Sequence, residues 1–135
     1  MKDRARAAKR ILEVQKQLHR MEELKFAQLQ QRLARLEHEQ LELTQALSED
    51  GALHGLFVDM TVRRLLALKQ EASRLVPEWR EQARRLIEHG GRVRNAERLK
   101  DTLDLDLRRA GERKELEEIL DVGLARGDAS LKQDR

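Results

Sequence analysis

The chain has 135 residues, enough for one domain at most. Charged residues make up 39% of it and aromatic residues 2%, which excludes a core of the usual aromatic-rich kind. With 28 basic and 25 acidic residues, the surface is balanced and not polycationic, and the absence of cysteine excludes disulfides and suits a reducing compartment.

The opening Met1-Lys2-Asp3-Arg4-Ala5-Arg6 is basic but leads into no apolar run or cleavage pattern, so no secretory signal is expected. Apolar residues then fall at Ile11, Val14, Leu18 and Met21, and again at Leu29, Leu33, Leu36, Leu43 and Leu47. Steps of three and four residues form the seam of a heptad helix, predicted over residues 3–48. Between Met21 and Leu29 the rhythm slips, which would place Lys25 on the seam and relax the supercoil there. Asp50-Gly51 and Gly55 mark a turn over residues 49–55, since Asp favours turns and Gly takes the left-handed conformation that ends helices.

A second helix is predicted over residues 56–126. Its seam reads Leu65, Leu68, Ala72, Leu75, Trp79, Leu86, Val93, Ala96, Leu103, Leu107 and Ala110, with the phase drifting to Leu116, Leu120 and Leu124. Gly127 and Asp128 open a tail, residues 127–135, that is expected to fray. The least polar stretch, Ala52 to Leu68, is interrupted by Asp59, Arg63 and Arg64 and is not expected to span a bilayer.

The expected fold is therefore all-α, a long antiparallel two-helix coiled-coil hairpin. Pro77 and the pair Gly90-Gly91 would kink the second helix or break it, since an interior proline costs about 3 kcal/mol and each glycine about 1 kcal/mol relative to alanine. Full breaks would give a three- or four-helix bundle instead. Setting Leu47 level with Leu56 brings Pro77 level with Phe26 and Trp79 level with Leu24. In that register the first helix runs out opposite about residue 100, and the apolar stripe beyond has no intramolecular partner. The candidate partner-binding residues are thus Leu53, Leu56, Phe57 and Met60 at the hairpin tip, and Leu103, Leu107, Leu116 and Leu120 on the overhang.

Residues with catalytic potential do not assemble. His19, His38, His54 and His89 form no His pair at helical metal spacing, and His19–Glu23 and His38–Glu42 read as surface pairs. Gly90-Gly91 lacks the Lys-Ser/Thr ending of a phosphate loop. No enzymatic activity, cofactor, metal or small-molecule substrate is expected. The basic stretch Arg80, Arg84, Arg85, Arg92, Arg94, Arg98 and Lys100 is interleaved with acids and has no aromatic platform, so nucleic acid is not the favoured partner.

The run Asn95-Ala96-Glu97-Arg98-Leu99-Lys100-Asp101, followed by Arg108-Arg109-Ala110-Gly111-Glu112-Arg113-Lys114-Glu115-Leu116-Glu117-Glu118-Ile119-Leu120-Asp121, resembles the closing segment of the FliJ family of flagellar export stalk proteins, related to YscO of type III secretion. Arg10-Ile11-Leu12-Glu13-Val14-Gln15-Lys16, with Leu29, Leu33 and Leu36, is similar to the family's opening helix. The resemblance implies an antiparallel two-helix coiled coil acting as a non-enzymatic stalk in a hexameric export ATPase ring. It also implies links to the export gate and to substrate chaperones, and a place in the cytoplasm or at the cytoplasmic face of the inner membrane, peripheral at most. Pro77, Gly90-Gly91 and the scarcity of aromatics at the tip depart from the family pattern. Two other readings stand beside it: a scaffold that self-associates through the overhang, and a basic coiled-coil nucleic-acid binder.

Overall fold

Two helices account for the chain. In a computed structural model, α1 runs Lys2–Ser48 and α2 runs Gly55–Gln133. Residues 2–49 and 55–133 are described, with side chains as far as Asp128. The turn residues 50–54, Leu53 among them, lie outside the described residues. No described residue forms a strand. The two helices are in contact as an antiparallel hairpin, and their bounds fall within one residue of those expected except at the far end, where α2 continues through Gly127 to Gln133. At its close, α1 satisfies the Gln45 carbonyl twice: the Glu49 amide donates to it at 3.1 Å and the Ser48 hydroxyl at 2.9 Å, as orphan carbonyls at a helix end require.

The chain divides into two packed units. In the unit Lys16–Arg92, the inward positions of α1 are His19, Glu22, Phe26, Leu29, Leu33, Leu36, Gln40, Leu43 and Leu47. Those of α2 are Thr61, Leu65, Leu68, Ala72, Leu75, Trp79, Gln82, Leu86 and His89. Steps of three and four alternate without interruption on both helices, the pattern that keeps one stripe of each facing the other. Leu36, Leu68 and Leu75 form the buried cluster, with Leu29, Leu33, Leu43 and Ala72 packed on it. Leu68 is fully buried. The rings of Phe26 and Trp79 pack in a tilted arrangement with centroids 5.6 Å apart. Arg64 donates to Glu39 at 2.9 Å, and Arg32 reaches Glu71 at 3.6 Å. These exposed pairs add little energy, but they sit at the same level of the ladder as the seam contacts and are consistent with a single register. Trp79 meets Phe26 where the reading from sequence set it level with Leu24, whereas the Arg64–Glu39 and Arg32–Glu71 pairs fall on the register read from sequence.

The other unit is described from Lys2 to Gln15 and from Val93 to Gln133. Ala8 and Leu12 are buried on α1, and Ala96 is buried on α2. Gln15, Val93, Lys100, Leu103, Leu107 and Ala110 are half-buried. The side chains here are smaller or more polar than around Leu68, so each turn buries less apolar surface.

The expected slip in α1 does not occur. Ile11, Val14, Leu18 and Met21 are all exposed. The seam passes one residue later through Leu12, Gln15, His19 and Glu22, and Lys25 stays outside it. Reading apolar residues alone selected the wrong stripe, because the inward stripe is the more polar one in this stretch.

α2 is continuous through Pro77 and through Gly90-Gly91, so the multi-helix bundle is not formed. Pro77 and Ser73 both lie on the exposed face. The Ser73 carbonyl, which loses its helical donor, therefore faces water instead of the seam. Thr61 keeps its inward place by donating its hydroxyl to the Phe57 carbonyl at 2.7 Å.

Two outcomes follow in urea unfolding monitored by far-UV circular dichroism. Leu68→Ala is expected to lose about 2–5 kcal/mol. Pro77→Ala is expected to gain stability, by up to about 3 kcal/mol, whereas an unchanged midpoint would mean the proline is accommodated without cost.

Candidate partner-binding surfaces

At the start of α2, Leu56, Phe57 and Met60 are exposed and Val58 is half-buried. Gly55 has open space where a side chain would project. Three large apolar side chains within two turns of a helix start leave an apolar surface in water, the ordinary mark of a docking surface. Leu53 was expected to share it and lies outside the described residues.

The C-terminal surface begins later than the register from sequence suggested. Leu103 and Leu107 are half-buried and belong to the packed unit, not to an overhang. Leu107 shares a groove with Lys2, Ala5, Arg6 and Lys9. From Gly111 to Asp128 every residue is exposed. Leu116, Ile119, Leu120, Val122 and Leu124 all stand in water, and Ile119, Val122 and Gly123 line a shallow groove with Glu115, Glu118 and Arg126. Leu116 and Leu120 are thus placed as expected. The apolar face here has rotated away from the positions that continue the seam, which carry Lys114, Glu117 and Asp121.

Sequence reasoning missed a polar locus inside the seam. Glu22 is buried, and the Gln82 amide donates both to its carboxylate and, at 3.2 Å, to its main-chain carbonyl. The Glu22 carboxyl is held below its ordinary value, first by the Gln82 hydrogen bond and then by the charges of Lys25, His89 and Arg85, against the opposing effect of burial. His89 Nε2 lies 3.9 Å from Glu22, and His19 Nε2 lies 2.8 Å from Glu23. The Nδ1 atoms of both histidines are buried without a partner among the described residues, a condition proteins seldom tolerate without cost. The signal was present in the spacing: Glu22, Gln82 and His89 occupy the three-and-four positions between apolar residues.

On the outer face of α2, Arg84 lies between Glu81 at 2.7 Å and Glu88 at 2.9 Å, and Arg92 reaches Glu88 at 2.7 Å. The guanidinium of Arg84 is held above its ordinary value, chiefly by the hydrogen bond it donates to Glu81, and the Glu81 carboxyl is held below its own by the same bond. The Lys100 ammonium is raised by its hydrogen bond to Asp104 at 2.9 Å. Much of the basic stretch is therefore occupied by intrahelical carboxylates. His38 pairs with Glu42 at 2.9 Å as the spacing suggested. Among the described residues no group of three or more His, Cys, Asp or Glu side chains is placed to hold a metal ion, and no helix is long and apolar enough to cross a membrane.

No protein-family model, curated protein or solved structure matches this chain.

Glu22 generates a pH prediction. Its folded carboxyl titrates below the ordinary glutamate value of 4.5, so its contribution is complete above that value and is lost as pH falls through the depressed one. Unfolding free energy should drop on acidification below pH 4.5, and Glu22→Gln should flatten that part of the profile. At neutral pH, Glu22→Ala is expected to cost about 1–3 kcal/mol, because the buried Gln82 amide loses its acceptor. The double replacement Glu22→Leu with Gln82→Leu should recover that loss, since paired apolar side chains match or exceed a buried polar pair. Chemical denaturation across pH checks all three.

Proposed function

We propose that this protein is a non-enzymatic stalk or adaptor of a bacterial flagellar or type III protein export apparatus, working by contact with other proteins. The observation that carries the reading is the C-terminal part of α2, where Leu116, Ile119, Leu120, Val122 and Leu124 are exposed on a helix that has run past the end of α1. An amphipathic helix of this length is marginal in water unless its apolar face meets another surface. Insertion into an ATPase ring, as the resemblance to FliJ-type proteins implies, would supply that surface. The second apolar surface, at Leu56, Phe57 and Met60, suits a different partner such as the export gate or a substrate chaperone. A place in the cytoplasm, at or near the inner membrane, belongs to the same reading.

The test uses the purified export ATPase of the organism that encodes this chain. Adding the full-length protein is expected to promote ring assembly, seen by light scattering, and to raise the hydrolysis rate. The variant Leu116→Glu with Leu120→Glu should fold normally, because both positions are solvent-exposed, and should lose both effects. Absence of binding by the unmodified protein would overturn the proposal.

A further inference from the structure

Beyond Gly111 the exposed part of α2 carries a seam of its own. Glu112, Leu116, Ile119, Gly123 and Arg126 follow one another at steps of four, three, four and three, the spacing of the inward positions in a two-helix coiled coil. All five are exposed, and all lie on one continuous stretch of helix within one packed unit. Leu120 and Val122, also exposed, flank the line on either side. Gly123 has open space where a side chain would project. Ile119, Val122, Gly123 and Arg126 line the groove at that point. They stand at i, i+3, i+4 and i+7, the four positions that frame a hole for one side chain of a facing helix. Among the described residues neither Glu112 nor Arg126 has an ion-pair partner.

This line is complementary to itself when reversed. Ile119 stands at its middle, with Glu112 seven residues before it and Arg126 seven residues after it. Two copies laid antiparallel about Ile119 set Glu112 of each opposite Arg126 of the other. The same placement brings Leu116 of each copy level with residue 122 of the other, over the hole framed by Ile119, Val122, Gly123 and Arg126. A parallel pair in register does neither: it sets Glu112 against Glu112 and Arg126 against Arg126, and turns the two open sites at Gly123 towards each other. We propose that this face of α2 pairs with the same face of a second copy, antiparallel and centred on Ile119. The pair is two-fold and closed, so each contact is made twice. Charge selects the antiparallel orientation over the parallel one, which juxtaposes like charges. The inference stands apart from the export reading, and a ring partner that takes Leu116 and Leu120 would displace the second copy.

Sedimentation equilibrium of the full chain, up to about 300 µM, should show a reversible dimer, a range that captures contacts of micromolar Kd. Glu112→Arg or Arg126→Glu alone sets like charges opposite each other at two symmetric places, so either should raise Kd about tenfold. The chain carrying both Glu112→Arg and Arg126→Glu recreates both pairs and should dimerise like the unmodified chain. Ile119→Glu sets two carboxylates face to face at the centre and should be monomeric. All three positions are exposed, so circular dichroism should show the hairpin folded in every variant. A monomer at every concentration would overturn the proposal and leave the face to a different protein. Single reversals that leave Kd unchanged would overturn it, as would a double reversal that fails to restore association. An Ile119→Glu chain that still dimerises would also overturn it, by placing the contact between copies on another face.

Discussion

The seam between α1 and α2 is the constraint on which everything else depends. A hairpin of two helices buries one stripe from each and nothing more, so it has no second layer to compensate for a weak turn. Around Leu36, Leu68 and Leu75 the stripe is apolar and closes well. Elsewhere it admits Gln15, His19, Glu22, Thr61, Gln82, His89 and Lys100. Each of these must find a polar partner or keep a path to water. Thr61 and Glu22 do so through hydrogen bonds, whereas among the described residues Gln15 Oε1 and one ring nitrogen of each histidine have no partner. The helix pair is therefore held most firmly in one part of its length and specified by polar contacts in others.

Polar residues at seam positions reduce the apolar area buried there, but they restrict register, because a shifted pairing strands their hydrogen-bonding groups. Glu22 and Gln82 are matched across the seam, and the aromatic pair Phe26–Trp79 lies one step further along α1. A slip of one heptad would separate all of these at once. The same logic explains why Pro77 is tolerated: it sits on the outer face, where the lost main-chain bond is exchanged for water and the seam is undisturbed.

The proposed function relies on exposed faces and not on a pocket. Three apolar faces are left in water: the start of α2, the outer face of α1, and α2 beyond Gly111. The proposed export function would use such faces to join a larger assembly.

Sequence by itself determined the fold class and the two long helices with their approximate register, because heptad spacing acts locally. It also located Leu56, Phe57, Met60, Leu116 and Leu120 as exposed apolar residues. Tertiary structure decided which of two neighbouring stripes on α1 faces inward. Ile11, Val14, Leu18 and Met21 satisfy the periodicity as well as Leu12, Gln15, His19 and Glu22, and only packing against α2 distinguishes them. It also decided that Leu103 and Leu107 remain half-buried, because both pack in the unit that holds the start of α1. And it decided that Pro77 and Gly90-Gly91 leave α2 intact. Propensity charges a cost at each such residue, but whether a helix continues is set by the cross-seam contacts on either side.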